Sequence, residues 1–270
     1  MDIPCDLHLH TTCSDGAFAP RDVVCRVQAK GLSIMAITDH DTVAGVSEGI
    51  QAAAERGITC LSGVELSTFW DQEIHVLGYN VPHQDEQFLQ EIGRLQTLRQ
   101  ARVEQIVAKL HRHGVKVRPD ERLQQPSAGR SHIAALLVEQ GYVRTKAEAF
   151  DKYLGKGAPC YVEGMRLDPV EAVRLLRDAG AVPVLAHPFR MLQAATLPDL
   201  VERLVPAGLA GIEVYYPNYS RTVRAQLRGI ALRHGLICTG GSDFHSVEWG
   251  AEVGEAEAFL DDNAAQLLLH

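Results

Sequence analysis

The sequence predicts an α/β protein in which two stretches of alternating strands and helices build one barrel or barrel-like sheet, interrupted by a helical insertion. Two observations carry that reading. Short apolar runs alternate with segments of helical periodicity over residues 1–83 and again over 163–270, whereas residues 84–162 repeat apolar side chains only at helical spacing. With 270 residues, 46% of them hydrophobic, the chain can bury one large core or two modest ones.

After the polar run Asp6-Leu7-His8-Leu9-His10, Pro20 can open a helix that places Val23, Val24 and Val27 on one face and ends at Gly31. Ile34 to Thr38 reads as a buried strand, a helix through Ile50, Ala53 and Ala54 closes at Gly57, and the strand Ile58-Thr59-Cys60-Leu61 leads to Gly63-Val64-Glu65. Ile74-His75-Val76-Leu77 makes a further strand. Within the insertion, Phe88, Ile92, Leu95, Leu98, Val103, Ile106 and Leu110 mark one long helix, and shorter helices are expected from Ile133 to Gln140 and from Lys146 to Leu154. Alternation resumes at Asp168-Pro169. A helix runs to Gly180, then come the strand Val182 to His187, a helix from about Leu197, the strand Gly211 to Tyr216, a helix to His234 and the strand Leu236 to Thr239.

Composition excludes several classes. No window approaches eighteen uninterrupted apolar residues, and the N-terminus has neither a basic nor an apolar segment, so a cytoplasmic chain without membrane contact is expected. The net charge of -8 argues against a broad footprint for duplex DNA, and any phosphorylated substrate must be met by local charges or metal. The six cysteines form no CxxC pair, which indicates neither a disulfide framework nor a thiolate zinc site. Nothing in the sequence points to a protein partner.

The chemistry lies in where histidines and carboxylates fall. His8 and His10, one residue apart on an extended strand, project from the same face, as two imidazoles must to reach one ion. Asp39 and His40, Glu65, His187, and Asp243 with His245 follow further apolar runs, and His75 sits in its own short strand. In a parallel βα barrel the strand C-termini share one rim, so these distant residues converge. Six of the chain's 12 histidines occupy such positions, and gathering them with carboxylates in the absence of cations would cost heavily in desolvation and like-charge repulsion. A multinuclear metal site is the reading that avoids this cost.

Asp6-Leu7-His8-Leu9-His10, Thr38-Asp39-His40-Asp41, Gly63-Val64-Glu65, Ala186-His187-Pro188 and Gly241-Ser242-Asp243-Phe244-His245 resemble, in order, the motifs of the PHP (polymerase and histidinol phosphatase) domain of the amidohydrolase group. Gly129-Arg130-Ser131-His132 and Tyr153-Leu154-Gly155-Lys156-Gly157 are similar to the subgroup related to exoribonuclease AM and 3',5'-nucleoside bisphosphate phosphatase. The resemblance implies a distorted (β/α)7 barrel of PHP type carrying a small helical insertion that caps the substrate, with two or three metal ions. It further implies that His8, His10, Glu65 and Asp243 hold one ion, Asp15, His40 and His245 a second, and Glu65, His75 and His187 a third. Glu65 would bridge, and Glu65, Asp243 and His245 would be catalytic. Many relatives have histidine where this chain has Asp15, which its neighbours equally permit as a turn residue before Gly16. Nitrogen and oxygen ligands without thiolate suit Mn²⁺, Fe²⁺ or Zn²⁺, and the carboxylates favour manganese.

Substrate groups must come from the rim and the insertion. Arg99 and Arg102 share a helix face, Arg130 precedes a helix start beside Ser131 and His132, and Arg190 follows His187-Pro188-Phe189 closely. The guanidinium fork suits phosphate, although Arg99 reads equally well as a solvated helix charge and His132 as a helix cap. The expected activity is metal-dependent removal of the 3'-phosphate from a nucleoside 3',5'-bisphosphate, with a 5'-to-3' exoribonuclease on short 5'-phosphorylated RNA as the rival. A histidinol phosphate phosphatase is disfavoured because a cationic amine would not call for several arginines, and a non-catalytic scaffold because the ligand set is complete.

Overall fold

The computed structural model describes residues 3–163, 167–192, 196–248 and 250–270. It comprises two compact units, Met1–Leu89 with Arg166–His270, and Gln90–Met165. Among the described residues no helix is long and apolar enough to cross a membrane.

The first unit is built on one eight-stranded sheet that nearly closes into a barrel. Its strands are β1 (Ile3–Leu9), β2 (Ile34–Ile37), β3 (Thr59–Phe69), β4 (Glu73–Tyr79), β5 (Val182–Leu185), β6 (Gly211–Tyr215), β7 (Ile237–Gly240) and β8 (Phe259–Leu260). They lie in the order β7-β6-β5-β4-β3-β2-β1-β8. Pairing is parallel from β1 to β3 and from β5 to β7. Strand β4 runs antiparallel to both neighbours. The cause is length, since only Trp70, Asp71 and Gln72 join it to β3, whereas a parallel crossover needs about a dozen residues. The reversal brings the first residues of β4, His75 among them, to the rim where the parallel strands end.

Past β7 the chain crosses back to β1. Leu9 bridges Phe244, and the His10 N–H donates to the Phe244 carbonyl at 3.0 Å. A Cβ on Gly241 would collide with His8, so this approach requires glycine. Outside the sheet, helices α1 (Pro20–Ala29) and α2 (Val46–Ala54) seal Val23, Val24, Val27, Ala52 and Ala53 against Leu9, Met35 and Ile37. Gly31 and Gly57 follow them with φ of 70° and 68°, left-handed positions that end a helix.

The second unit is helical. Helix α3 (Glu86–Arg112) is its long element, with α4 (Arg130–Glu139) and α5 (Lys146–Ala149), the last running into a π turn over Phe150–Leu154. Ile106, Leu110, Ile133, Leu137, Leu154 and Cys160 form its core. In the first unit the remaining helices are α6 (Pro169–Asp178), α7 (Pro188–Met191), α8 (Leu197–Leu204), α9 (Arg221–His234) and α10 (Asp262–Leu269). Asp168 starts α6 by accepting the Val170 N–H, and the Glu171 carboxylate accepts the Asp168 N–H in return.

Candidate metal centre

Glu65, in mid-β3 and fully buried, is the hub. Its Oε1 lies 2.8 Å from His75 Nδ1 and 2.9 Å from His187 Nε2. Its Oε2 lies 2.9 Å from His40 Nδ1 and 3.3 Å from both His8 Nε2 and His10 Nε2. Asp243 stands beside it, with Oδ1 3.4 Å from His8 Nε2 and 3.2 Å from His10 Nε2. Asp15 approaches from the other side. Its Oδ1 is 3.1 Å from His245 Nε2 and 3.9 Å from His10 Nδ1 and His40 Nε2. All nine side chains singled out from the sequence as ligands therefore meet at one rim.

The loops that hold them are firmly tied. Asp39 accepts from the N–H and hydroxyl of Thr11 at 2.7 and 2.6 Å and from the Ser14 hydroxyl, which fastens the turn carrying Asp15. Asp41 accepts the Ser67 N–H at 2.9 Å. Three rim residues adopt left-handed backbone, Asp41 at φ 50°, Asp243 at 53° and His187 at 21°, a strain that structures sustain at functional sites.

Burial raises the carboxyl pKa of Glu65, but His40, His75 and His8 outweigh it and hold the group well below its usual range. The same contest leaves Asp15 well below its ordinary value through His245 and His40, and Asp243 through His8 and Arg190. Burial pulls the imidazoles of His40 and His187 down. At His10 and His75 burial also acts downward, yet nearby carboxylates lift them to about 10 and about 9. The anionic charge of this cluster must thus be answered by imidazole protons or by cations, and cations displace such protons.

Several buried atoms favour cations. His8 Nε2, His10 Nε2, Asp15 Oδ1, His40 Nδ1, Glu65 Oε2, His75 Nε2 and His187 Nδ1 make no hydrogen bond. Buried polar atoms are ordinarily satisfied, so a concentration of lone-pair carriers converging without hydrogen-bond geometry fits divalent cations. Three groups could each hold one: His8, His10, Glu65 and Asp243; His10, Asp15, His40 and His245; and His40, Glu65 and His75.

Among the substrate candidates, Arg190 is in the first unit, on α7. Its Nη1 contacts Asp243 Oδ2 and lies 3.1 Å from the Tyr216 hydroxyl, which itself donates to Asp243 Oδ2 at 2.8 Å. The others belong to the insertion. Arg99 Nε donates to the carbonyls of Ser127 and Ala128, both at 2.8 Å, and Arg102 Nε and Nη2 donate to the Val162 carbonyl at 3.2 and 3.1 Å. Arg130 sits half-buried with its guanidinium 5.4 Å from the Phe150 ring centre. Ser131 is half-buried in the first turn of α4, and His132 Nδ1 accepts the Gly129 N–H at 3.1 Å, so His132 does cap that helix.

Sequence reasoning missed Glu213 and Tyr216. Glu213 Oε1 is 2.9 Å from His8 Nδ1, and its Oε2 accepts the His187 N–H at 2.7 Å. The available signal was a lone carboxylate in the apolar run Gly211-Ile212-Glu213-Val214.

The family model described as PHP domain matches residues 6–151. A 3',5'-nucleoside bisphosphate phosphatase of Chromobacterium violaceum is 35% identical, covering 93% of this chain and 91% of its own. A 5'-3' exoribonuclease of Haemophilus influenzae is 33% identical over 95% of each chain. Among solved structures, an amidohydrolase from Chromobacterium violaceum with bound sulfate and no metal superposes with a TM-score of 0.86 at 32% identity, over 92% of this chain and 90% of that one. Sequence motifs, sheet topology and matches over nearly whole chains agree, and this chain belongs to the PHP domain family as a phosphoesterase, a hydrolase.

Proposed function

We propose that the chain is a divalent-metal phosphatase that removes the 3'-phosphate from nucleoside 3',5'-bisphosphates, giving the 5'-nucleotide and phosphate. The observation that carries the reading is the buried donor set around Glu65, rich in unsatisfied nitrogen and oxygen atoms and free of thiolate. The reading assigns His8, His10, Glu65 and Asp243 to one ion, Asp15, His40 and His245 to a second, and Glu65, His75 and His187 to a third, with manganese favoured by the carboxylates. When bound, such ions supply the Lewis acidity that activates water and neutralises phosphoryl oxygens.

The chain's own groups do the rest. Glu65, kept ionised by the surrounding imidazoles, carries charge that more than one cation needs. His245 donates its Nδ1 proton to the Asp243 carbonyl at 2.8 Å, which leaves Nε2 directed at the Asp15 side. In this reading Arg190, which lies against Asp243 and Tyr216, meets a phosphoryl oxygen at the rim.

The bisphosphate substrate draws support from the relative of that name and from the net charge of -8, which favours small substrates over long polyanions. In this reading a second phosphate is held by arginine, with Arg130 the principal group and Arg99, Arg102, Ser131 and His132 the further candidates. The exoribonuclease relative, matched over as much of both chains, favours short 5'-phosphorylated RNA as the second reading. The test compares kcat/KM for a 3',5'-bisphosphate, the matching 3'-monophosphate and a short 5'-phosphorylated RNA. Loss of one charge-assisted contact costs about 1.5 to 3 kcal/mol, so the monophosphate should be about ten-fold to a hundred-fold poorer, and Arg130→Ala should narrow that gap. Equal rates on the first two substrates would remove the second-phosphate contact, and faster cleavage of RNA would promote the exoribonuclease.

A further inference from the structure

We infer that Glu213 is the positioning residue that fixes the ion-facing orientation of His8, and with it the affinity of the ion assigned to His8, His10, Glu65 and Asp243. The inference rests on the metal-binding reading above and not on which phosphate ester is cleaved. Glu213 lies at the centre of β6, whose residues are all buried, and is itself fully enclosed. Among the described residues no lysine or arginine pairs with it. A carboxylate in such a place is costly unless its oxygens are taken by donors. Both are: Oε2 accepts the His187 N–H at 2.7 Å, and Oε1 lies 2.9 Å from His8 Nδ1.

The consequence follows from the two nitrogens of one ring. With the carboxylate accepting, the His8 proton sits on Nδ1, and the lone pair is on Nε2. That Nε2 has no hydrogen-bond partner and faces Glu65 Oε2 at 3.3 Å and Asp243 Oδ1 at 3.4 Å. The opposite tautomer would aim an N–H where a ligand lone pair is needed. The second oxygen works on the backbone, since it holds the N–H of His187 at the left-handed turn with φ 21° and ψ 57°, where that ring meets Glu65 Oε1. One buried carboxylate therefore braces two histidines that the sequence places 179 positions apart, at His8 and His187.

The test is a chelator-competition titration with Mn²⁺, with ions counted by elemental analysis and melting of the chelated protein as the check on folding. Glu213→Gln keeps the shape but has one acceptor for two donors. Its oxygen should stay on the His187 N–H, which can only donate, and its amide N–H should face His8 Nδ1 and force the His8 proton onto Nε2. The ion assigned to His8 should therefore weaken by about 10- to 100-fold while the others bind as before. In a His8→Ala background, where that ligand is already gone, adding Glu213→Gln should change affinity less than about two-fold further, because the two residues act as one unit. Should Glu213→Gln fail to fold, Glu213→Asp, which keeps the charge and shortens the reach by one carbon, should lose affinity at the same ion. Wild-type affinity in a folded Glu213 variant would overturn the inference, and so would an equal loss with and without His8. A wild-type chain that binds no ion would overturn it together with the metal reading, whereas a different preferred phosphate ester would overturn the substrate alone.

Discussion

In the insertion unit, His132 Nδ1 takes the Gly129 N–H, His111 Nε2 lies 2.8 Å from the Val117 carbonyl, and Arg99 and Arg102 donate to backbone carbonyls. At the barrel rim, by contrast, His8, His10, His40, His75 and His187 each keep a buried ring nitrogen without a hydrogen-bond partner. The same residue types are present in both places. What separates them is satisfaction, because a side chain that completes a helix end or a loop is at rest, and one whose buried lone pair finds no donor awaits something else. The insertion has unsatisfied atoms too, Gln100 Oε1 and Gln125 Oε1, but these are amide oxygens without imidazole or carboxylate beside them in any ligand-like group.

The strongest way to break this contrast is to remove the cations it implies. Chelation should abolish phosphate release and readdition of Mn²⁺ should restore it, with elemental analysis finding two or three ions per chain. Full activity in protein shown to hold none would leave the unsatisfied nitrogens of the rim without their explanation.

Next in size is Glu65→Gln. The substitution keeps the volume and removes the charge around which five imidazole edges are arranged, so hydrolysis should fall by orders of magnitude while circular dichroism reports an intact fold. Near-normal activity with a full ion complement would place the bridge on another residue.

How far sequence foresees such a site depends on the range of the contact. Strand ends bearing His8, His10, Glu65, His187 and Asp243 were legible because local apolar patterning marks strands and the βα alternation gives them one rim. Gly31 and Gly57 were legible as stops because a left-handed residue after a helix favours glycine. The reversal of β4 was not legible, because the sequence pattern carries the preceding strand only to about Glu65 and starts the next at Ile74; the extension of β3 to Phe69 leaves a three-residue link, too short for a parallel crossover. Strand β8, two residues long, has no periodicity to read. Glu213 and the carbonyl partners of Arg102 are settled by contacts across 205 and 60 positions, beyond the reach of any local pattern.

A smaller effect sharpens the comparison from the insertion side. If Arg102 braces Val162, then Arg102→Ala should lower stability by about 1 to 2 kcal/mol through the lost charged hydrogen bonds. If it also binds substrate phosphate, kcat/KM for the bisphosphate should fall while that for the 3'-monophosphate holds. Thermal melts together with rates on the two substrates separate these outcomes, and a change in neither would deny Arg102 both roles.

The smallest expected effect concerns charge in the insertion alone. Arg122 meets Asp120 Oδ2 and Glu139 Oε2, both at 2.6 Å, and these hydrogen bonds hold the two carboxyls below their ordinary values of 3.8 and 4.5. Because each pKa is lower folded than unfolded, the stabilisation is complete above those ordinary values and is lost as pH falls through the depressed ones. The groups are substantially exposed, with Glu139 at 54%, so water and salt screen the network to roughly 0.5 to 1 kcal/mol in total. Arg122→Ala should therefore lower the melting temperature by about 1 to 4 °C at pH 7, less in high salt, and by progressively less as the pH drops below 4. A difference that grew toward acid would mean that Arg122 acts through something other than these carboxylates. A difference much larger than this at pH 7 would show that the insertion depends on a charged network more than its satisfied, solvent-facing geometry implies.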